Sequence, residues 1–481
     1  MLYHSTRSNS AAVDSAQAVL EGLAPDGGLY MPEKIPAFDW QACLNGSSMD
    51  MSTRILSALL PDIPNMDQLV KKAYTGKFET DHLTPTVPVG SFGVLELFRG
   101  PTSAFKDVAL SMLPQLLTAA RTEKGMEKDI LILTATSGDT GKAALEGFHD
   151  VDGIKICVFY PYGGVSQVQR AQMVTQEGGN VAVCAVYGNF DDCQTGVKNV
   201  FAACREKELP FALSSANSIN IGRLAPQIMY YFRSYRDLVD AGTIALGDEV
   251  NFSVPTGNFG DILAGYFAKL LGLPVGRLIC ASNANNVLTD FIRTGTYDRM
   301  RPLLKTTSPS MDILVSSNLE RLLYLLSGDT ALVAGLMGKL NKEGSYTVPA
   351  ELLQKIQAEF TAYYCDDERA QEIMGRVYQD YGYLCDSHTA SGWAAAEDYI
   401  AETGDLRPMV VLSTASPYKF PVAVLNAIGG DTFGTEFQQM DRLSEITGVP
   451  VPENLAGLLG KEEKHTGVIE KDAMLDYVLS L

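Results

Sequence analysis

The sequence lacks the patterns that mark several common classes of protein. None of its eight cysteines forms a Cys-x-x-Cys pair, and none of its five histidines stands four residues from another. The N-terminal stretch MLYHSTRSNSAA has no apolar signal region, and no apolar run approaches the roughly 18 residues that a membrane helix needs. These absences argue against a disulfide scaffold, a metal site and a membrane partner. We therefore expect a soluble, cytoplasmic protein with reduced cysteines and no bound metal.

Positive charge is also scarce. Lys and Arg number 38 against 57 Asp and Glu, which gives a formal net charge of −19. This balance opposes nucleic acid and anionic membranes as partners, although a few local basic groups can still bind a small anion. With 481 residues, 46% of them hydrophobic, and no internal repeat, the chain is long enough for two or three domains with large cores.

Short apolar strands alternate with helical patterns from about residue 129 onward. The predicted strands are Ile130–Ala135, Lys155–Tyr160, Asn180–Tyr187, Val250–Val254, Leu278–Ala281 and Met409–Ser413. This alternation predicts an α/β fold with parallel sheets covered by helices on both faces. In such folds ligands lie at the carboxyl ends of the strands, in the strand-to-helix turns. We interpret residues 1–95 as a separate N-terminal unit. Residues 310–405 are predicted to be mainly helical and to be an addition to the main domain.

Lys106 stands where helix physics disfavours a lysine. In FRGPTSAFKDVALSML (98–113), Thr102 and Ser103 are candidate helix caps, which places Lys106 in the first turn. A cation there opposes the helix dipole. An amine that is disfavoured as a cation has a lowered pKa, as a Schiff-base lysine requires. The alternative is a lysine that simply extends to solvent from the start of a helix.

Two strand-to-helix turns suit anions. TGNFGD (256–261) fits a phosphate cradle of backbone N–H groups at a helix start, although it is not the G-x-G-x-x-G dinucleotide fingerprint. TSGDTGK (136–142) is not a P-loop, because Thr136 replaces the first glycine and Ala143 follows the lysine. Its hydroxyl and N–H groups suit a carboxylate.

Two further turns complete the set. SSANSINIGRLAPQ (214–227) places Arg223 among Asn and Ser side chains and suits a phosphate, which guanidinium binds through two hydrogen bonds. STASPYKFP (413–421) offers the hydroxyls of Thr414 and Ser416. Each turn alone also has a structural explanation: a tight turn without a ligand at 256–261, helix capping at 136–142, a surface ion pair of Arg223 at 214–227, and a simple turn at 413–421. Together with Lys106, they supply the lysine, phosphate cradle, ring-nitrogen partner and carboxylate pocket that pyridoxal 5′-phosphate (PLP) requires.

The motifs GPTSAFKD, TATSGDTG, NSINIGRLAPQ, PTGNFGD, DSHTA and TASPYKFP follow one another in the order seen in a known family. With the early DGGLYMP, the chain resembles the threonine synthases, which are fold-type II PLP enzymes of the tryptophan synthase β family, and within them the longer bacterial and fungal branch. The resemblance implies an N-terminal α+β domain at 1–95 and a large PLP-binding domain at 96–128 and 225–481. It also implies a small mobile α/β domain at 129–224.

The resemblance implies conversion of O-phospho-L-homoserine and water into L-threonine and phosphate. Lys106 would hold the cofactor and shuttle protons. The residues implied to bind the cofactor are Lys106, Gly257, Asn258, Phe259, Gly260 and Thr414. Those implied to bind the substrate are Ser137, Asp139 and Thr140 for its carboxylate, and Asn217, Ser218 and Arg223 for its phosphate. Because an ionised Asp139 would repel the carboxylate, we expect its side chain to point away or to accept backbone N–H groups.

Other activities stay open at this point. A PLP-dependent phospho-lyase would use the same residues and release 2-oxobutyrate, phosphate and ammonia, whereas a serine or threonine dehydratase has no use for a phosphate-binding Arg223. A catalytically silent PLP-binding regulator is the alternative from another class, and the intact Lys106 opposes it. His388 in DSHTA either contacts the substrate or caps a helix. The sequence leaves monomer and homodimer, and any allosteric effector, undecided.

Overall fold

The N-terminal part of the chain is a small α+β unit. The structure is a computed structural model that describes residues 1–9, 11–136, 138–204 and 208–481. Its first elements are β1 (Leu2–Ser5), β2 (Val13–Asp14), α1 (Ser15–Glu21), β3 (Tyr30–Pro32), α2 (Trp40–Leu44), α3 (Ser48–Leu59) and α4 (Met66–Tyr74). The three strands pair antiparallel in the order β2-β1-β3. Helix α3 begins with a capping box in which Ser47 and Asp50 each accept from the other's backbone N–H.

Strands and helices then alternate. The elements are β4 (Thr86–Val89), β5 (Phe92–Glu96), α5 (Lys106–Glu123), β6 (Asp129–Ala135), α6 (Asp139–Phe148), β7 (Ile154–Pro161), α7 (Gln167–Val174), β8 (Val181–Val186), α8 (Phe190–Cys204), β9 (Phe211–Ser214), α9 (Ile221–Leu224), α10 (Ile228–Asp240), β10 (Val250–Pro255), α11 (Gly260–Leu270), β11 (Val275–Ser282) and α12 (Val287–Thr294). The alternation confirms the α/β prediction.

The last third of the chain is mainly helical. Its elements are β12 (Thr296–Asp298), α13 (Leu319–Ser327), α14 (Thr330–Glu343), β13 (Ser345–Thr347), α15 (Ala350–Glu359), β14 (Phe360–Tyr364), α16 (Asp367–Tyr381), α17 (Ser387–Thr403), β15 (Met409–Ser413), α18 (Pro421–Ile428), α19 (Glu436–Thr447), α20 (Glu453–Ala456), β16 (Val468–Ile469) and α21 (Met474–Leu479). Short 3-10 turns lie at Ala225–Gln227, Pro309–Met311, Pro417–Lys419 and Lys471–Ala473.

Two larger sheets organise these elements. One has six strands in the order β14-β11-β10-β15-β5-β4 and is parallel except for the antiparallel edge pair β4–β5. The other has five parallel strands in the order β16-β8-β7-β6-β9. Every residue of β10 and β15 is buried, as expected for strands with helices on both faces. All six predicted strands are present, with ends shifted by a few residues at most.

Helix α5 is buried along most of its length. It packs against α1, α4, α6 and α9, and its residues from Lys106 to Leu117 are all buried. A helix surrounded in this way is apolar on nearly all sides, which explains the run VALSML. The start of α5 lies at the carboxyl end of β15, because the backbone N–H of Phe105, just before α5, donates to the carbonyl of Thr414, just after β15 (2.8 Å).

Candidate active site

Lys106 is the first residue of α5 and is 7% exposed. The expected caps are wrong: Phe105 occupies the N-cap position, and no side chain among the described residues caps the helix. Instead the backbone N–H of Thr102 donates to Asp107 Oδ2 (2.9 Å), and its hydroxyl donates to Asp107 Oδ1. Asp107 therefore fixes the loop that leads into the helix, and Lys106 lies in the first turn as predicted.

The end of β15 holds the same loop. The backbone N–H of Phe105 donates to the carbonyl of Thr414 (2.8 Å), and that of Ser416 donates to the carbonyl of Ser103 (3.1 Å). Asn454 contributes a third link, because its amide donates to the carbonyl of Pro101 (2.8 Å). Thr414, the expected partner of the cofactor ring, is thereby placed beside the loop that carries Lys106.

The amine of Lys106 lies in a polar cluster that burial isolates from water. Its Nζ is 3.4 Å from Ser310 Oγ and 4.0 Å from Asp139 Oδ2. Burial lowers the pKa of Lys106 to about 8; Asp139 opposes this shift, while Lys419 and Arg223 add to it. The prediction of a lowered pKa is confirmed, and its main cause is burial rather than the helix dipole.

Asp139 begins α6 and is paired with a cation. Its Oδ1 accepts from Lys419 Nζ (2.6 Å) and from Gln169 Nε2 (3.0 Å). Burial raises the pKa of Asp139, but the ammonium groups of Lys419 and Lys106 outweigh burial and hold that pKa well below its ordinary value. Within the described part of the chain its partners are side chains, so of the two expected arrangements for Asp139 the one with backbone N–H donors is wrong.

The turn before α6 is organised by Thr136. Its hydroxyl oxygen accepts from the backbone N–H groups of Gly138 (3.0 Å) and Gly141 (2.9 Å). Thr140 is partly buried as the second residue of α6. Ser137, the third residue expected to contact the substrate carboxylate, lies outside the described residues.

The GNFG turn has the geometry of an anion cradle. Asn258 Oδ1 accepts from the backbone N–H of Gly260 (3.0 Å), and Phe259 has a left-handed φ of 66° just before α11 begins. Among the described residues, none accepts a hydrogen bond from the backbone N–H groups of Gly257, Asn258 or Phe259. Three consecutive free donors at a helix start suit a phosphate.

The loop before α9 brings a second group of donors. Arg223 is 4% exposed; its Nη1 donates to the carbonyl of Ala216 (2.6 Å), and its Nε has no partner among the residues that the structure describes. Burial lowers the pKa of Arg223 to about 10. Asn217 is exposed on this loop and Ser218 is partly buried. A buried guanidinium N–H without an acceptor is costly, so the loop is suited to receive an anion.

Asn318 and Arg321 join this loop to the GNFG turn. The backbone N–H of Asn318 donates to the carbonyl of Asn258 (3.0 Å), and its amide donates to the carbonyl of Ser218 (3.1 Å). Arg321 is fully buried and donates to Asn318, to the carbonyl of Ile219 and to the carbonyl of Tyr30 in the N-terminal unit. The two expected phosphate-binding loops therefore share one support.

Sequence reasoning missed two members of the site, Ser310 and Lys419, and left the role of a third, His388, open. Ser310 lies in an irregular 3-10 turn that has no periodic pattern, so no signal could have found it. Lys419 is 0% exposed within the apolar stretch SPYKFP, and a lysine in such a stretch was a signal. His388 Nε2 accepts from the backbone N–H of Ser310 (3.2 Å), and its Nδ1 contacts Asp386 Oδ2 (2.5 Å). Asp386, not His388, caps α17, so the expectation that His388 caps a helix is wrong; its ring instead contacts the Ser310 turn.

These residues fit PLP. The cluster offers a buried amine with a lowered pKa, three N–H groups at a helix start that no described residue accepts from, and a hydroxyl residue at the end of β15. Within the part of the chain that the structure covers, no three His, Cys, Asp or Glu side chains gather as metal ligands. No helix in the described ranges is both long enough and apolar enough to cross a membrane.

Family models cover nearly the whole chain. The model described as “Threonine synthase N terminus” matches residues 2–74, “Pyridoxal-phosphate dependent enzyme” matches residues 81–416, and “Threonine synthase, C-terminal” matches residues 389–478. The fold and the cluster around Lys106 thus define a pyridoxal-phosphate dependent enzyme of fold-type II, with PLP as its cofactor.

Comparison with known proteins identifies the family within this class of enzymes. Human threonine synthase-like 1 is 38% identical over 434 residues, which is 86% of this chain but only 58% of that protein's length. The threonine synthase of Pseudomonas aeruginosa is 40% identical over 439 residues, covering 89% of this chain and 90% of that protein. The crystal structure of PLP-bound threonine synthase from Brucella melitensis has a TM-score of 0.88 at 38% identity, and the match covers 100% of this chain and 99% of that one. The chain belongs to the threonine synthase family.

Proposed function

We propose that the protein converts O-phospho-L-homoserine and water into L-threonine and phosphate. The observation that carries the proposal is the buried Nε of Arg223, which has no partner in the described structure although the guanidinium lies close enough to Lys106 to lower the pKa of its amine. A site with PLP but no phosphorylated substrate has no need of this donor. The threonine synthase relatives support the same substrate.

The cofactor roles are assigned to the residues whose geometry fits PLP. Lys106 would hold the aldehyde, the free N–H groups of Gly257, Asn258 and Phe259 in the 257–260 turn would hold the phosphate, and Thr414 would meet the ring nitrogen. When bound, PLP supplies an electron sink that stabilises negative charge on the carbon atoms of an attached amino acid.

Lys106 is suited to move protons. With a pKa of about 8, a substantial fraction of the free amine is neutral near neutral pH and can accept a proton, and the resulting ammonium can return it. Ser310 Oγ, at 3.4 Å from Nζ, accepts a hydrogen bond from the amine. His388 keeps Ser310 in this place through the backbone N–H of the turn.

The substrate would be held at both ends. Ser137, Asp139 and Thr140, at the start of α6, would receive its carboxylate, and Asn217, Ser218 and Arg223 would bind its phosphate. The paired state of Asp139 lets its turn accept a carboxylate, because the Lys419 ammonium offsets its negative charge.

The direct test incubates PLP-loaded protein with O-phospho-L-homoserine and measures threonine, phosphate and 2-oxobutyrate. We expect threonine and phosphate in equal amounts, and a loss of turnover of about 10³-fold or more in Lys106→Ala, because the variant lacks both the covalent anchor and the proton carrier. Lys339→Ala, at an exposed position of α14, is the control and should keep full activity.

The products separate the alternatives. If 2-oxobutyrate with phosphate is the main outcome, the protein is a phospho-lyase. If PLP-loaded protein releases no phosphate under any condition, the proposal fails in favour of a PLP-binding protein without this activity.

We further propose a small unit built on the five-stranded sheet that closes over the site. Its strands come from residues 129–214, with Val468–Ile469 added at the edge, whereas β4 and β5 (86–96) join the six-stranded sheet. These strand pairings support assigning residues 86–95 to the large unit and residues 468–469 to the small unit. A cytoplasmic location belongs to the same proposal, supported by eight cysteines that are all buried and unpaired.

A further inference from the structure

Lys419 is a second lysine in the site, and it is even more deeply buried than Lys106. It ends the 3-10 turn that follows β15 in the six-stranded sheet, and it is 0% exposed. Its Nζ lies 2.6 Å from Asp139 Oδ1, at the start of α6 beside the five-stranded sheet. The same ammonium donates to the carbonyl of Thr102, in the loop before Lys106 (3.2 Å). One buried cation thus contacts the approaches to both α5 and α6.

Charge pairing explains why this lysine is tolerated. A buried ammonium persists only with a partner of opposite charge and satisfied hydrogen bonds. Asp139 provides the charge, and Gln169 completes the hydrogen bonding of its Oδ1. Lys106 is farther from this carboxylate, at 4.0 Å, and its nitrogen is reserved for the cofactor. Lys419 is therefore the cation that remains for Asp139 in the loaded enzyme.

We propose that Lys419 is a positioning residue, whose ion pair with Asp139 holds the start of α6 against the loop before Lys106 and offsets the negative charge that would otherwise oppose a substrate carboxylate there. The part of the proposal that concerns the substrate rests on the proposed function. The part that concerns the charge around Lys106 does not.

The effect of Lys419 on the charge around Lys106 can be measured directly in the PLP-loaded protein without substrate. The ionisable groups around Lys106 are Asp139 at the start of α6, Lys419 after β15, Arg223 in α9, Asp107 in α5 and Asp261 in α11. Replacing Lys419 by Met removes the ammonium group of Lys419 and leaves the carboxylate of Asp139 without this ion-pair partner. Both changes favour a protonated nitrogen at position 106.

The first experiment titrates PLP-loaded protein and follows the visible absorbance of the cofactor with pH. In Lys419→Met we expect the pKa of the cofactor-bound nitrogen to rise by about one unit or more. Lys419→Arg keeps the charge and should stay close to the parent protein. Lys269→Met is the matched control: its lysine also forms a 2.6 Å ion pair, with Glu359, but is 30% exposed and lies away from the site.

The second experiment measures steady-state kinetics with O-phospho-L-homoserine. In Lys419→Met we expect KM to rise by about tenfold or more, with a smaller change in kcat, because the unpaired Asp139 opposes substrate binding. The double variant Asp139→Asn/Lys419→Met removes both charges and should recover most of the loss in KM and the shift in the absorbance titration. A merely structural lysine would show no such recovery.

The experiments distinguish a failure of the Lys419 proposal from a failure of the proposed function. A folded Lys419→Met protein with an unchanged titration and an unchanged KM would overturn the proposal, as would a double variant no better than the single one. If Lys419→Met fails to fold while the double variant folds, the proposal is supported, because the unpaired charge is then the cause. If the parent protein forms no threonine, the proposed function fails, and the absorbance titration still decides the role of Lys419.

Discussion

Position 257 is a glycine because the Ser310 turn occupies the space that a side chain would fill. An ideal Cβ at this position would lie 2.9 Å from the carbonyl oxygen of Ser310. The close approach joins two parts of the site, since Gly257 begins the row of free N–H groups and Ser310 contacts Lys106. The identity of this glycine follows from packing rather than from an unusual backbone angle.

Gly257→Ala should therefore weaken PLP binding. The added methyl group forces the Ser310 turn or the GNFG turn to shift, at a cost of about 1–3 kcal/mol, which corresponds to a Kd raised roughly 5- to 150-fold. Titration of the apoprotein with PLP, followed by absorbance, measures the change. Gly335→Ala in α14, where a Cβ meets nothing within 4 Å, is the control; an unchanged Kd in both variants would contradict the cradle assignment.

Individual residues differed in how well the sequence predicted them. Lys106, Arg223 and the GNFG turn were identifiable because each breaks a local rule or follows a strand with a glycine-rich turn. Lys419 and Ser310 were not identified, because their importance arises from contacts with residues about 280 and 200 positions away in sequence. The pairing of Asp139 with Lys419 was missed for the same reason.

The start of α11 carries a buried carboxyl group whose surroundings favour its neutral form. Asp261 Oδ1 accepts from the hydroxyls of Tyr230 (2.6 Å) and Tyr231 (3.0 Å) of α10, and its Oδ2 has no partner among the described residues. Burial raises the pKa of Asp261 to about 6, although the two tyrosines oppose the shift. An unpaired buried oxygen is better tolerated when it carries a proton.

This raised pKa predicts how stability depends on pH. Between pH 4 and 6 the folded protein binds more protons at Asp261 than the unfolded chain does, so this group's contribution to stability falls as pH rises through that range. Relative to Asp261→Asn, the parent protein should lose up to about 3 kcal/mol of unfolding free energy between pH 4 and 7. Urea unfolding at several pH values measures the difference.

Asp81→Asn is the control for this experiment, because Asp81 is exposed. It should change the free energy of unfolding by less than about 0.5 kcal/mol at every pH. A constant difference between the parent protein and Asp261→Asn across the same range would contradict the raised pKa of Asp261.

The regular elements were largely predictable from sequence. Apolar β-branched runs such as ILILTA and MVVLS identified strands because both faces of a parallel sheet are buried. The start of α5 was misjudged because Asp107 folds back onto Thr102, which replaces the expected capping hydroxyl. Short strands such as Phe360–Tyr364 were missed, since their pairing in the six-stranded sheet is not visible in local pattern.

The C-terminal segment connects the two large sheets. It leaves the six-stranded sheet after β15, and the backbone N–H groups of Lys464 and His465 donate to the carbonyl of Val174 at the end of α7. Strand β16 then pairs with β8, and α21 packs on α8. Met474 of α21 lies over Gly196, where an ideal Cβ would be 2.2 Å from its Sδ.

Met474→Ala should therefore destabilise the five-stranded sheet. Met474 is 1% exposed, and removing a buried methionine side chain costs about 2–5 kcal/mol. Leu479→Ala in the same helix, where the leucine is 42% exposed, should change stability by less than about 0.5 kcal/mol. Urea unfolding compares the variants, with hydrogen exchange at β8 as a local probe. Equal effects of the two substitutions would show that α21 does not support this sheet.

Arg321 has a consequence for the order in which the protein matures. Its guanidinium has all of its hydrogen-bond acceptors only when Tyr30 of the N-terminal unit and Ile219 of the loop before α9 are both in place. Until the first thirty residues dock, this buried cation lacks the Tyr30 carbonyl, one of its three acceptors, and the common support of the two anion-binding loops is incomplete. A newly made chain should thus capture its vitamin-derived cofactor late, after its N-terminal unit has docked against the middle of the chain.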